Sequence, residues 1–191
     1  MSKLKVESMA TLYKGADVNA QGGRQRADVN AQGGEYGNAL QAASSRGHDQ
    51  VVQMLLDKGA DVNAQSGVYG TAMYAASSIG HDQAVQMLLD KGADVNARGG
   101  RFGNALQAAS GEGHDQVVRM LLDKGADINA QGGFHGNALQ AALERGHGQV
   151  VRMLLDKGAD VNAQGGRYGN ALQAASSRGH DQCMATLCGQ R

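Results

Sequence analysis

The sequence predicts an all-α solenoid, a one-dimensional stack of helix-turn-helix units joined by β-hairpin or turn fingers. Three observations predict this fold class. Residues 37–69, 70–102, 103–135 and 136–168 align without a gap at a period of 33, and a partial unit follows at 169–191. Each unit contains two short segments with helical signals, each ending in glycine. The composition, with 29 glycines, no proline and 4% aromatic residues, favours short helices joined by glycine turns.

The first helix of a unit is short and rich in alanine. In GNALQAASSRG, Asn38 can cap the helix and Gln41 can complete a capping box, while Gly47 supplies a left-handed stop. The alanine pair that begins at Ala42 recurs in every unit and leaves room for the first helices of neighbouring units to approach closely.

The second helix of a unit carries most of the apolar volume. In HDQVVQMLLDKG, the apolar residues form a packing face, and Gly59 ends the helix beside Lys58. Leu55 and Leu56 are expected to fill the layer between units. Two helices of about nine residues are too short to be stable in water alone, so neighbouring units must stack.

The finger of a unit is the segment ADVNAQSGVYG and its counterparts. It has too few apolar residues for a helix and ends in glycine, as expected for a β-turn or hairpin that reaches the next unit.

The two ends of the chain depart from the regular pattern. Residues 1–36 predict a degenerate second helix from Leu4 to Gly15 and a turn segment, ADVNAQGG, that is duplicated at Ala16 and Ala27. We therefore expect a long and mobile first finger. The last unit has no clear polar cap, so self-association through uncapped repeat ends is a further hypothesis.

The repeated motifs resemble those of the ankyrin-repeat family. Every complete unit contains AA, GH, MLL and a GAD(V/I)NA segment, and the resemblance covers residues 37–191. The family's TPLH helix start is replaced by NALQ, or by TAMY from Thr71 to Tyr74, and both are compatible with a helix start. The resemblance implies an ankyrin solenoid that recognises another protein through a concave face of finger tips and first helices.

The NALQAA and GADVNAQGG forms are similar to the uniform arrays of fungal proteins, in which the array often follows a NACHT module of an intracellular sensor. These residues contain no GxxxxGK[ST] phosphate-binding motif. The alternative function that this resemblance implies is a ligand-sensing or regulatory segment of a larger NACHT-type sensor, whose nucleotide-binding module would lie outside these residues.

Composition restricts the function classes. Eighteen basic residues balance eighteen acidic ones, which argues against nucleic-acid binding. No apolar run is long enough to span a bilayer and Met1 to Ala10 is unlike a signal peptide, so we expect no membrane association and an intracellular, cytoplasmic location. Cys183 and Cys188 lie about 140° apart on one predicted helix, and we interpret both as small apolar fillers.

Residues shared by all units are interpreted as scaffold. The GH histidines, such as His48 and His81, repeat at a unit spacing of ~10 Å, too far for two of them to share one metal ion. The repeated aspartates are interpreted as solvated turn residues or caps. No catalytic motif is present, so we predict no catalytic residue, metal or cofactor and no enzymatic activity. The remaining enzymatic alternative is acid-base chemistry in the groove; its candidates are Tyr74, His135, Glu112 and Glu144.

Residues that vary between units are the candidates for recognition. They form two groups, the finger tips and the C-terminal ends of the first helices, which should face the same way. Tyr74 is added because glutamine occupies its position in the other units. The predicted partner-binding residues are Tyr36, Tyr69, Phe102, His135, Tyr168, Arg101, Phe134, Arg167, Arg46, Ile79, Glu112, Arg145, Arg178 and Tyr74.

Two interpretations of the tip aromatics remain open. An aromatic ring beside arginine is typical of the energetic centres of protein interfaces. Alternatively, the rings only pack finger against finger. His135 interrupts the aromatic series and is the candidate pH-sensitive member. Because arginines outnumber glutamates at the variable positions, we expect a mildly positive groove and a protein partner with an acidic or polar segment.

Overall fold

The computed structural model describes residues 27–189, and within this range the chain forms ten α-helices. The helices occur in pairs, a first and a second helix for each unit. In chain order they are α1 (Ala39–Ser45), α2 (Asp49–Asp57), α3 (Ala72–Ile79), α4 (Asp82–Asp90), α5 (Ala105–Glu112), α6 (Asp115–Asp123), α7 (Ala138–Arg145), α8 (Gly148–Asp156), α9 (Ala171–Ser176) and α10 (Asp181–Gly189). The predicted all-α stack of helix pairs is confirmed.

The first helices begin with the predicted caps. The Asn38 side chain accepts a hydrogen bond from the Gln41 backbone N–H at 2.8 Å, and the Gln41 Oε1 atom accepts one from the Asn38 N–H at 3.0 Å. The same capping box occurs at Asn104 and Asn137. Thr71 caps α3 through its hydroxyl oxygen. The sequence thus encodes the start of each first helix locally.

Short antiparallel β-structure forms the fingers between the helix pairs. Strand β1 (Gln32–Gly33) pairs with β2 (Gly37–Asn38), and β3 (Arg98–Gly99) pairs with β4 (Gly103–Asn104). The other three fingers close with a single bridge, Ser66 to Gly70, Gly132 to Gly136 and Gly165 to Gly169. Each finger is therefore a tight hairpin whose tip lies just before the next first helix.

The core runs continuously along the stack. Each first helix packs against the first helix of the next unit, and these contacts are more extensive than those between successive second helices. The alanine pairs, such as Ala108 and Ala109, are fully buried there, as are Leu106 and Leu139. Small side chains let the first helices approach closely, while Val and Leu of the second helices fill the layer between units. The predicted stacking is confirmed.

Features predicted near the two ends have different outcomes. The helix from Leu4 to Gly15 and the first copy of the duplicated turn lie outside the described residues. Helix α10 carries both cysteines, as predicted. Cys183 is buried in the core, and burial raises the pKa of its thiol. Cys188 is exposed, so its interpretation as an apolar filler is wrong.

No helix among residues 27–189 is long and apolar enough to cross a membrane.

Candidate functional site

The finger tips lie side by side along the stack. The backbone N–H of Val68 donates to the Glu35 carbonyl at 3.0 Å, and that of Arg167 donates to the Phe134 carbonyl at 3.0 Å. Phe134 in turn donates its N–H to the Arg101 carbonyl at 3.3 Å. These bonds join the first tip to the second, and the third tip to the fourth and the fourth to the fifth, so neighbouring tip residues lie side by side.

The tip aromatics stack in two pairs. The rings of Tyr36 and Tyr69 lie 6.2 Å apart between centroids, and those of Phe102 and His135 lie 5.0 Å apart. This geometry supports the interpretation in which the rings pack finger against finger. It also leaves edges exposed, because Tyr36, Tyr69 and Phe102 are only half buried.

The finger tips and the first-helix ends face the same way, as expected. The Arg46 guanidinium, beyond the end of α1, donates to the Tyr36 hydroxyl at 3.0 Å and lies over that ring. Near the end of α7, Glu144 accepts a hydrogen bond from the Tyr168 hydroxyl at 3.1 Å. Side chains of both groups, among them Phe134 and Arg145, also line one cavity. The two variable groups therefore form one continuous face, which we call the tip face.

Tyr74 does not belong to the tip face. It is 3% exposed, and its hydroxyl oxygen accepts a hydrogen bond from the Phe102 backbone N–H at 3.1 Å. Burial raises the pKa of this hydroxyl. In the first, third and fourth units the glutamine at this position reaches the next finger; Gln41, for example, donates to the Gly70 carbonyl at 2.8 Å. Tyr74 replaces the glutamine's hydrogen bond to the next finger by its own bond to Phe102 of that finger. Because its side chain is buried, the prediction that Tyr74 contacts a partner at the surface is wrong.

A polar cluster around the buried pair His135 and Glu144 links the third, fourth and fifth units. His135 and Glu144 are each 4% exposed, and the His135 Nδ1 atom contacts the Glu144 Oε2 atom. Glu144 also accepts from Tyr168 and forms a salt bridge with Arg178 at 3.6 Å. Because Nδ1–H donates to the carboxylate when the ring is neutral, Nε2 then carries the lone pair. Burial lowers the pKa of His135, and Glu144 opposes this only in part.

This cluster is the feature that sequence analysis missed. Sequence analysis named both residues as acid-base candidates and His135 as a partner contact, but did not predict that they contact each other; because His135 is buried, its predicted direct contact with a partner is wrong. A signal was present, however. His135 at the finger tip is followed nine residues later by Glu144, whereas the tip residue Tyr36 is followed nine residues later by Ser45. Two unusual polar residues that change together at these linked positions indicate a contact between them.

A cavity of about 540 Å³ opens beside the cluster on the tip face. It is lined by Arg101, Phe102, Phe134, His135, Glu144, Arg145, Arg167, Arg178 and His180. We call it the arginine pocket. Four guanidinium groups and two phenylalanine rings around one cavity form an environment suited to a negatively charged group.

The predicted site residues differ in exposure. Six lie exposed on the tip face: Arg46, Ile79, Arg101, Arg145, Arg167 and Arg178. Six are half buried: Tyr36, Tyr69, Phe102, Glu112, Phe134 and Tyr168. Tyr74 and His135 are buried. The exposed and half-buried residues thus remain candidates for direct contact with a partner.

The recurring histidines join neighbouring units. The His147 Nε2 atom lies 3.1 Å from the Gly111 carbonyl oxygen, and the His180 Nε2 atom lies 3.0 Å from the Glu144 carbonyl oxygen. Each ring also covers the left-handed glycine of the preceding GH step, so a side chain at Gly113 would overlap the His147 ring. The described residues contain no group of three metal-ligating side chains.

The recurring aspartates and asparagines also stabilise turns. The Asp61 carboxylate accepts a hydrogen bond from the Asn63 backbone N–H at 2.9 Å, closing a turn. Asn63 then links to the next unit, because its Oδ1 atom accepts from the Asp94 N–H at 2.7 Å. The repeated aspartate and asparagine, here Asp61 and Asn63, therefore stabilise turns and the contact between units, which explains their recurrence without acid-base chemistry.

Comparison with known proteins identifies the repeat. A family model described as "Ankyrin repeats (3 copies)" matches four overlapping segments, residues 5–99, 40–132, 72–165 and 106–191. The azaphilone pigments biosynthesis cluster protein L of Monascus ruber is 75% identical over 43 residues, which is 22% of this chain and 7% of that protein. The chain thus matches only a small fraction of that relative's length.

Proposed function

Because the chain belongs to the ankyrin-repeat family, we propose that it is a protein-protein interaction module that binds its partner through the tip face. Ankyrin repeats generally bind other proteins. The observation that carries the proposal is the coincidence of variable and exposed positions on one face. Arg101 and Arg167 vary between units and lie exposed there, whereas the shared residues cap helices, close turns or join units.

The partner that we propose presents a mildly acidic or polar segment. Arginine residues outnumber glutamates on the tip face, and Glu144 is buried within it. Opposite charges on two surfaces speed association and weaken binding as salt rises. Val68, which is 57% exposed, and Ile79 supply apolar contacts at the other end of the face.

The test compares two triple variants in affinity capture followed by calorimetry with the recovered protein. The tip variant changes Val68, Arg101 and Arg167 to alanine. The matched control changes Met54, Arg119 and Arg152 to alanine. These are exposed residues of second helices, and like the tip set they comprise one apolar side chain and two arginines. We expect the partner to bind the control as tightly as the unchanged chain and the tip variant at least several-fold more weakly.

Both variants replace surface residues, so circular dichroism and unfolding curves should show that each remains folded. A partner that binds the tip variant and the unchanged chain equally, but loses affinity for the control, would move the site to the second helices.

An alternative function is ligand sensing or regulation within a larger NACHT-type sensor. It is supported by the NALQAA and GADVNAQGG motifs, which are similar to arrays of such proteins. Coding sequence for a nucleotide-binding motif upstream of these residues would favour it. In that case, a partner bound to the tip face should change the rate of nucleotide hydrolysis by the longer protein. We retain the prediction of an intracellular, cytoplasmic location for both alternatives.

Self-association is a second candidate that one specific observation favours. Leu172 of the last first helix is 50% exposed, whereas its counterparts Leu106 and Leu139 are 0% and 1% exposed. A second copy that stacks on this surface would bury the leucine. Sedimentation across a concentration series should then detect dimers that the Leu172→Glu substitution removes, and a monomer at every concentration would contradict this.

An enzymatic role of the groove has the least support. Ankyrin repeats are typically non-enzymatic, and the Tyr74 hydroxyl is buried and bonded to the Phe102 backbone.

A further inference from the structure

We propose that the arginine pocket binds a dianionic group of the partner segment, supplied by a phosphorylated side chain or by two adjacent carboxylates. This inference rests on the proposed function and deepens it, because it names the chemical group that anchors the partner. The two sources share one chemistry, a pair of negative charges with several acceptor oxygens.

The charges around the pocket do not cancel. Its four arginines are Arg101, Arg145, Arg167 and Arg178. Two carboxylates compensate them in part: Glu144 in the wall and Glu112, which pairs with Arg145 at 3.2 Å. Arginine is always protonated and the buried His135 ring is neutral, so two positive charges remain. A ligand with two negative charges balances this excess.

Two of the arginines have no competing anion. Within residues 27–189, neither Arg101 nor Arg167 forms a salt bridge or a side-chain hydrogen bond. Their guanidinium carbons lie 4.8 Å and 5.2 Å from the centroid of the Phe134 ring. Cation-π contact holds both groups at the pocket and leaves their N–H donors available for bidentate bonds to oxygen.

The other two arginines are held in place by carboxylates. Glu112 holds Arg145, and the buried Glu144 lies 3.6 Å from an Arg178 nitrogen. Each guanidinium has five N–H donors, so one carboxylate contact leaves several of them for a ligand. Because these side chains are already positioned, binding loses less conformational entropy.

The wall of the pocket provides an independent indication of a ligand. Among the described residues, the buried Nε2 atom of His135 has no hydrogen-bond partner. Buried polar atoms in native proteins nearly always have one. In the neutral ring this atom is an acceptor. The rings of Phe102 and Phe134 provide apolar surface for the rest of the segment.

The excess of positive charge is confined to one end of the tip face. The corresponding positions of the first two finger tips and first helices hold Glu35, Val68 and Ile79, together with a single arginine. That residue, Arg46, already donates to the Tyr36 hydroxyl. The anchor for an anion is therefore local, and the remainder of the face contacts neutral parts of the partner.

The test uses three fluorescent peptides of identical neutral sequence that differ only at the centre. One carries phosphoserine, one carries two adjacent glutamates, and one carries two glutamines. Affinities are measured by fluorescence polarisation for the unchanged chain, for the Arg101→Gln, Arg167→Gln pair and for the matched Arg119→Gln, Arg152→Gln pair. Both pairs remove two positive charges from exposed positions, so non-specific attraction falls equally.

We expect at least one charged peptide to bind about tenfold or more tightly than the glutamine peptide, and to lose that preference only in the pocket pair. Whichever charged peptide binds more tightly identifies the source of the anion. Equal affinity for charged and neutral peptides, or equal losses in the two arginine pairs, would overturn the proposal. If a captured partner still binds through the tip face in that case, only the anion site fails and the proposed function stands.

Discussion

The Nδ1 atom of His135 contacts the Glu144 carboxylate inside the stack, although His135 lies at a finger tip and Glu144 lies near the end of a first helix. The contact joins a finger tip to the first helix that follows it. Tyr168 of the next finger donates to the same carboxylate, so three elements meet at one buried charge. The arginine pocket lies beside this cluster, and the cluster therefore positions the proposed recognition surface.

His135 should titrate below the ordinary range of histidine. Burial lowers its folded-state pKa below the unfolded value of about 6.5, and the contact with Glu144 offsets this only in part. The neutral ring then stabilises the fold fully above pH ~6.5, and this contribution is lost as the pH falls toward the lower folded-state pKa. Nuclear magnetic resonance titration of the ring measures the midpoint. A midpoint at or above that of a free histidine would contradict the neutral, buried ring.

A side chain at Gly100 should be poorly tolerated because of Tyr74. Gly100 has a φ of +56°, and an added Cβ would overlap the Tyr74 ring. Gly59→Ala is the matched control, since Gly59 has a φ of +83° with open space around it. Both substitutions should cost ~1 kcal/mol from the left-handed backbone, and Gly100→Ala should cost ~1–3 kcal/mol more from overlap.

Urea unfolding measures both free energies, and the Tyr74→Ala background isolates the overlap. The difference between the two glycine substitutions should largely disappear in that background. A difference that persists without the ring would rule out Tyr74 as its cause.

Removing a buried hydroxyl should stabilise the chain. Among the described residues, Ser77 has a buried Oγ atom without a hydrogen-bond partner, whereas the neighbouring Ser78 hydroxyl donates to the Ala75 carbonyl at 3.0 Å. Ser77→Ala should raise the free energy of unfolding by about 1 kcal/mol relative to Ser78→Ala, because only the first removes an unsatisfied polar atom. Thermal and urea unfolding check this. Equal effects would indicate that the Ser77 hydroxyl does have a partner.

The histidines of the GH step should be structural links rather than metal ligands. His147→Ala removes the partner of the Gly111 carbonyl and should cost about 1–3 kcal/mol. Gln149→Ala, at an exposed position of helix α8, which His147 immediately precedes, should change stability by less than ~0.5 kcal/mol. Unfolding is measured with and without zinc and a chelator. Stabilisation by zinc that disappears in the His147 variant would favour a metal role instead.

Much of the fold follows from local sequence signals. The Asn38 and Gln41 pair specifies a helix start, the left-handed glycines specify its end, and the period of 33 requires units to stack. These signals act within a few residues or repeat regularly, so the amino-acid pattern alone reveals them.

The site was less predictable because it depends on exceptions to the repeat. Tyr74 was expected at the surface because it varies, but variation can also change an internal link. Tyr74 replaces a glutamine link to the next finger, and Glu144 forms a new buried pair with His135. Whether a variable side chain points outward or inward depends on neighbours 24 to 28 residues away, as the partners Tyr168 and Phe102 illustrate.

The central claim is that the tip face binds the partner. Its most direct test is to map backbone amide shifts of the isotope-labelled chain by nuclear magnetic resonance as the captured partner is added. We expect the largest changes at finger positions 101–102, 134–135 and 167–168 and at the ends of the adjoining first helices. Changes confined to the second helices, with the finger tips unaltered, would contradict the account.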